Sequence, residues 1–157
     1  MKLYIKQKVF SFRDKFYVKD EYGEDKYYVE GELFSFGKKL HIYNLAGNEL
    51  ALVHQKVLSF MPKFTVEINN TIICEIVKKV TFFKPKYIVN GLGWDVDGDI
   101  FAHDYVITSG NRSIVSIHKQ WMTWGDTFEL DIDDNENEIV ALSVVLAIDT
   151  VLDANNN

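Results

Sequence analysis

The feature that most restricts the fold lies near the C-terminus. In Ile139-Val140-Ala141-Leu142-Ser143-Val144-Val145-Leu146-Ala147-Ile148 only Ser143 is polar. The run has no period of two and no turn residue, and it is long for a strand, so it reads as a helix despite its β-branched content. Asn135 followed by Glu138 resembles a capping box and places the helix at about residues 136–152. A helix that is apolar on every side has to be wrapped in protein. The stretch from Ile139 to Leu152 includes Ser143, Asp149 and Thr150 and falls short of the ~18 apolar residues that a membrane span requires. It is therefore expected in a core, not in a bilayer.

The chain before it is patterned for strands. Leu40-His41-Ile42-Tyr43, Ala46-Gly47-Asn48 and Leu50-Ala51-Leu52-Val53 read as strand, turn and strand. Tyr105-Val106-Ile107-Thr108, Gly110-Asn111 and Ile114-Val115-Ser116-Ile117 repeat the pattern. Phe64 to Ile68, Asn69-Asn70 and Thr71 to Ile73 form a further hairpin, and Phe128 to Ile132 matches its first arm. Alternation sets Phe64, Val66 and Ile68 on one face and Thr65 and Glu67 on the other. One face of the sheet is wet.

These parallels point to a duplication. Lys26-Tyr27-Tyr28-Val29-Glu30-Gly31 is echoed by Lys86-Tyr87-Ile88-Val89-Asn90-Gly91, and Val53 to Phe60 by Ile117 to Trp124. The offset grows by four residues between the two blocks, which predicts an enlarged hairpin turn at Asp97-Gly98-Asp99. The repeat units run over about 26–72 and 86–134. Five or six strands per unit give about ten to twelve in all, a number that favours closure into a barrel or splitting into a sandwich. A barrel that wide is not easily filled by its own side chains, and the apolar helix supplies the filling.

A length of 157 residues suits one domain, expected over 1–153, with 154–157 as a disordered tail. The net charge of -6 argues against a general nucleic-acid binder. Charge is unevenly placed along the chain: residues 1–89 carry 15 Lys/Arg against 10 Asp/Glu, and residues 90–157 carry 2 against 13. In a closed barrel both halves share one surface, so this separation is expected to blur in space. The single cysteine, Cys74, sits in an apolar run and reads as buried and inert. With no apolar core of a signal peptide at the N-terminus, it favours a cytoplasmic location.

The motifs in order sharpen the picture. Tyr27-Tyr28-Val29-Glu30-Gly31, Lys84-Pro85-Lys86-Tyr87, Gly93-Trp94-Asp95-Val96-Asp97-Gly98-Asp99, Trp124-Gly125-Asp126-Thr127-Phe128 and Ala141 to Asp149 resemble the bacterial branch of the LURP-one-related family. The resemblance runs from Tyr4 to about Leu152. It implies a mainly β fold: a twelve-stranded antiparallel closed barrel around a central C-terminal helix, akin to tubby C-terminal domains and phospholipid scramblases. It carries no catalytic residues.

Candidate sites are few. Asp95, Asp97 and Asp99 have the spacing that opens a calcium loop, but Ile100 and Val106 stand where an EF-hand needs Gly and Glu. A looser calcium site there is left open. Asp131, Asp133 and Asn135 fail for the same reason, with Glu136 and Leu142 at those places. His54 and His118 occupy matching repeat positions on the wet face, and His41 and His103 have no ligand spacing around them. No metal, cofactor or enzymatic activity is expected. In Lys78-Lys79-Val80-Thr81-Phe82-Phe83-Lys84-Pro85-Lys86, four lysines flank two phenylalanines. Lys78, Lys79, Lys84 and Lys86 with Phe82 and Phe83 are the candidate anionic-lipid site. The competing reading buries one phenylalanine in the core and leaves the lysines in water.

Three functions stand in order: a non-enzymatic binding or scaffold barrel with a protein partner, a module peripheral to the membrane that binds anionic phospholipid, and a carrier of a small apolar ligand. A monomer or weak homodimer is expected, with no transmembrane segment and no nucleic-acid partner.

Overall fold

The computed structural model describes residues 1–6, 15–34, 37–61, 63–79, 81–83, 86–123 and 125–154. Twelve strands follow in chain order: β1 (Lys2–Lys6), β2 (Phe16–Lys19), β3 (Asp25–Phe34), β4 (Gly37–Asn44), β5 (Glu49–Gln55), β6 (Lys63–Ile68), β7 (Thr71–Lys79), β8 (Lys86–Asn90), β9 (Trp94–Asp99), β10 (Asp104–Ser109), β11 (Arg112–Met122) and β12 (Gly125–Ile132). One helix, α1 (Glu138–Ala154), completes the chain. Each strand pairs antiparallel with its sequence neighbours, and β1 closes the ring on β12 from Lys2↔Asp131 to Lys6↔Thr127. A closed ring has no edge strand left to pair with other chains.

The barrel interior is apolar because period-two alternation turns one face of every strand inward. Leu3, Ile5, Val53, Phe64, Ile76 and Ile107 have no exposed surface. From Val140 to Thr150 every helix residue is buried, so α1 runs through the lumen and not over the outside. Two of its polar side chains turn back on the helix itself: Ser143 Oγ donates to the Ile139 carbonyl at 2.6 Å, and Thr150 Oγ1 to that of Leu146 at 2.7 Å. Each large apolar side chain taken from water contributes roughly 1.5–3 kcal/mol.

Three local expectations are corrected. The helix begins at Glu138, not 136, and its cap is Asn137, not Asn135. Asn137 Oδ1 accepts the backbone N–H groups of Ile139 (3.0 Å) and Val140 (3.1 Å). Asn135 instead bonds Asp133 through both its backbone and its side chain. Second, Asp97-Gly98-Asp99 is strand, not turn, and the connection lies at residues 100–103. Gly98 (φ +122°) is required there, since a Cβ would meet the Asp104 carbonyl oxygen and Tyr105 Cα at 2.7 Å. Third, Lys26–Gly31 and Lys86–Gly91 fall on β3 and β8, five strands apart, whereas β4, β5 and β6 lie six strands from β10, β11 and β12. The first block therefore joins strands at non-equivalent positions, which accounts for the change in offset without an insertion.

Antiparallel order gives the barrel two distinct ends. Odd-numbered strands run toward one end, here the mouth, and even-numbered strands return to the other, the base. Strands β1, β3, β5, β7, β9 and β11 end at the mouth; the base receives the connections after the even-numbered strands, together with the start of α1. Near the base β2, β4, β6 and β10 each carry a register shift, at Val18/Lys19, Ile42/Tyr43, Val66/Glu67 and Ile107/Thr108. Such bulges increase local twist and help a sheet to close.

Candidate functional site

The mouth carries side chains that a water-facing surface ordinarily lacks. Leu58 and Phe60, in the β5–β6 connection, are 102% and 105% exposed; Phe82 and Phe83, between β7 and β8, are 101% and 96% exposed. Phe101 and Trp121 add further exposed aromatic surface at the same end. Scattered exposed apolar residues are ordinary, but a group of this size at one end is not. The reading that buried Phe82 or Phe83 in the core is thereby corrected. Both lie past the last paired residues of β7 and β8, Lys79 and Lys86.

Lysines surround these loops on the β5–β8 arc. Lys56 and Lys63 pair with Glu67 (3.7 Å) and Glu75 (2.8 Å). Lys79 and Lys86 stand directly opposite each other across the β7–β8 ladder and point outward together, both exposed, because Ile76 and Tyr87 point in. Among the described residues neither has a carboxylate within ion-pair distance. Like charges directly opposite on a ladder are unfavourable unless something else neutralises them. Lys78 lies one residue back with inward parity at the rim. Lys84 lies outside the described residues. The acidic residues of the mouth, Asp99, Asp104 and Asp126, stand on the other arc, on β9, β10 and β12.

The base has the opposite character. Its turns contain Asp20, Glu21 and Glu24 after β2, and Asp133, Asp134 and Glu136 before α1, with no lysine or arginine in any of them. These carboxylates surround the positive end of the helix dipole, and the lysines lie at the negative end, so the charge distribution complements α1. Both ends carry both signs: at the base the N-terminal ammonium pairs with Asp134, Lys19 with Asp25, Lys26 with Glu138 and Arg112 with Glu136, leaving carboxylates in excess there and lysines in excess at the mouth.

A second, buried group lies beneath the mouth. Asp149, near the C-terminal end of α1, places Oδ1 3.0 Å from His103 Nε2 in the β9–β10 connection. Burial raises the Asp149 carboxyl above its usual value, and His103 opposes the rise. His103 adopts φ +53° and stacks on Phe128 with ring centroids 4.3 Å apart. The hydroxyls of Tyr87 (β8) and Tyr105 (β10) are buried nearby without a hydrogen-bond partner among the described residues. Burial pushes Tyr87 up to about 12 and Tyr105 well above the phenol value, each reinforced by the charge of Asp149. Sequence reading misses this group because its members, from Tyr87 to Asp149, are separated by up to 62 residues. The one available signal is an aspartate inside an apolar run.

The remaining candidates sort as follows. Asp95, Asp97 and Asp99 share a spacing of two because they line the outer face of β9, not a loop. Among the described residues no group of three or more His, Cys, Asp or Glu is arranged to hold a metal ion. His41 lies on the barrel exterior between Glu49 (2.6 Å) and Glu32 (3.1 Å), and His118 beside Asp104 (2.9 Å). Desolvation, aided by Lys56, lowers the pKa of His54. Cys74 is buried, with its thiol pushed up to about 12, as inertness requires. Among the described residues no helix is long and apolar enough to cross a membrane.

A closed barrel of twelve antiparallel strands with a helix along its lumen defines the tubby-like class. Within it, the LURP-one-related family model matches residues 1–149, and the chain belongs to that family. It is 36% identical over 152 residues to the uncharacterized protein YxjI of Bacillus subtilis (strain 168), covering 97% of this chain and 94% of that one. The X-ray structure of the Arabidopsis thaliana protein AT5G01750 superposes with a TM-score of 0.68 at 14% identity, covering 96% of this chain and 90% of that chain. At that identity the likeness concerns the fold.

Proposed function

We propose that this barrel is a non-enzymatic binding module that docks by its mouth on an anionic phospholipid surface, as a cytoplasmic protein peripheral to the membrane. The observation that carries the reading is the joint placement of fully exposed Leu58, Phe60, Phe82 and Phe83 with the opposed lysines Lys79 and Lys86. Apolar loops enter the headgroup and acyl boundary, and nearby lysines each contribute about 1 kcal/mol toward an anionic surface. The acidic base is repelled by the same surface, which orients the barrel mouth-down. A carrier of a small apolar ligand is the weaker reading, since α1 fills the lumen.

Co-sedimentation with vesicles of mixed phosphatidylcholine and phosphatidylserine tests this. Wild type is expected to bind, more weakly as salt rises. Lys78→Glu, Lys79→Glu and Lys86→Glu together are expected to weaken binding by roughly a hundredfold or more. Phe82→Ser with Phe83→Ser is expected to weaken it while leaving the salt dependence in place. Binding that ignores both salt and charge reversal, or no binding at all, overturns the proposal.

A further inference from the structure

The two ends of the barrel complement each other, and that complementarity concerns a different partner from lipid. Four nearly fully exposed apolar side chains at the mouth are costly in water whenever no membrane covers them. The base offers what they and the lysines lack. Its connections are rich in carboxylates, with Glu21, Glu24 and Asp134 exposed, the last paired with the N-terminal ammonium at 2.7 Å, and Lys19, Lys26 and Arg112 at their margins are paired with Asp25, Glu138 and Glu136; beside them stand the exposed apolar side chains of Tyr22, Leu45 and Ile72. Each end therefore pairs apolar surface with an excess of one charge sign, lysine at the mouth over Asp99, Asp104 and Asp126, and carboxylate at the base over Lys19, Lys26 and Arg112, and the two excesses are opposite.

We infer that, away from a membrane, copies of this chain stack end to end, the basic mouth of one barrel seated on the acidic base of the next. The contact is heterologous: the surface that donates it and the surface that accepts it lie at opposite ends of one molecule. Such an interface does not close on itself as a two-fold dimer does, and without a closing rotation it grows into open stacks. The opposing excesses supply orientation, because mouth-to-mouth and base-to-base contacts bring ends of like net charge together. The lysines that face a lipid headgroup in the membrane-bound state face carboxylates in the stack, so the two states exclude each other.

Sedimentation velocity without lipid tests this separately from vesicle binding. The weight-average mass of wild type is expected to rise with protein concentration at low salt and to fall toward the monomer as salt is added. Mouth variant Lys78→Glu/Lys79→Glu/Lys86→Glu and base variant Glu21→Lys/Glu24→Lys/Asp134→Lys are each expected to be monomeric alone. Mixed, they are expected to regain stacks of alternating variants that grow with concentration, because the native base of the first meets the native mouth of the second and the reversed mouth of the first meets the reversed base of the second. Circular dichroism melting checks that both variants remain folded. If one does not, Phe82→Ser/Phe83→Ser replaces the mouth variant and Leu45→Ser/Ile72→Ser the base variant. A wild type that stays monomeric at low salt overturns the inference. So does a dimer that does not extend, or a mixture that behaves as two non-interacting monomers. None of these outcomes bears on vesicle binding, and loss of vesicle binding leaves the stacking result intact.

Discussion

Asp149 is a carboxyl group within an otherwise apolar helix, and the cost of ionising it there shows in its raised pKa. Folding therefore favours its protonated form. That contribution is fully present below the ordinary carboxyl value of 3.8 and is lost as pH rises through the folded-state value. Compared with Asp149→Asn, wild type is expected to lose stability from weakly acidic pH upward; urea midpoints of both proteins across that range check the sign. Asp133 behaves oppositely. Hydrogen bonds from Asn135 lower its pKa, so its contribution is present above the ordinary value and is lost as pH falls through the depressed one. Tyr87 and Tyr105 make a different point. A buried hydroxyl without a partner carries a desolvation cost and no compensating bond, so Tyr87→Phe or Tyr105→Phe is expected to leave stability unchanged or raise it by up to about 1 kcal/mol. A clear loss in thermal denaturation contradicts that.

At the scale of elements, α1 is held at its start by polar contacts and along its length by packing. Beyond the Asn137 cap, Glu138 accepts hydrogen bonds from the Tyr27 hydroxyl and from Lys26, which tie the first turn to β3. Asn137→Ala is expected to cost about 1 kcal/mol, and Asn135→Ala distinctly less, since Asn135 bonds a loop carboxylate and not the helix. Chemical denaturation of the two variants side by side checks the assignment of the cap. The capping box read from sequence was two residues early because Asn135, Asn137 and Glu138 all offer suitable chemistry. Only the path of the loop decides which oxygen reaches the first free N–H groups.

For the whole molecule, barrel and helix depend on each other. The ring closes through β1 and β12, more than 120 residues apart in the chain, around a helix that is the last element. Long-range closure of this kind predicts slow folding. Leu142→Ala, at a fully buried position on α1, is expected to cost about 2–5 kcal/mol. Removing residues 138–154 is expected to leave no cooperatively melting barrel. A truncated chain with a sharp thermal transition contradicts joint assembly.

Much of this architecture is local chemistry and was legible in the residues. Period-two alternation at Phe64, Val66 and Ile68 produces a strand wherever it occurs, and the unbroken apolar run after Ile139 has to lie inside something. The lysines around Phe82 and Phe83 were visible too, but not whether either ring was buried, because that depends on which strands stand above the turn. Tertiary structure alone decided the rest. Antiparallel return sends alternate connections to opposite ends, which gathers Leu58 and Phe60 beside Phe82 and Phe83 and sends the carboxylates after β2 and β12 to the far side. It also brings His103, Tyr87 and Tyr105 to Asp149. Proximity across a closed ring follows from strand order and closure, and neither is written in any short stretch of sequence.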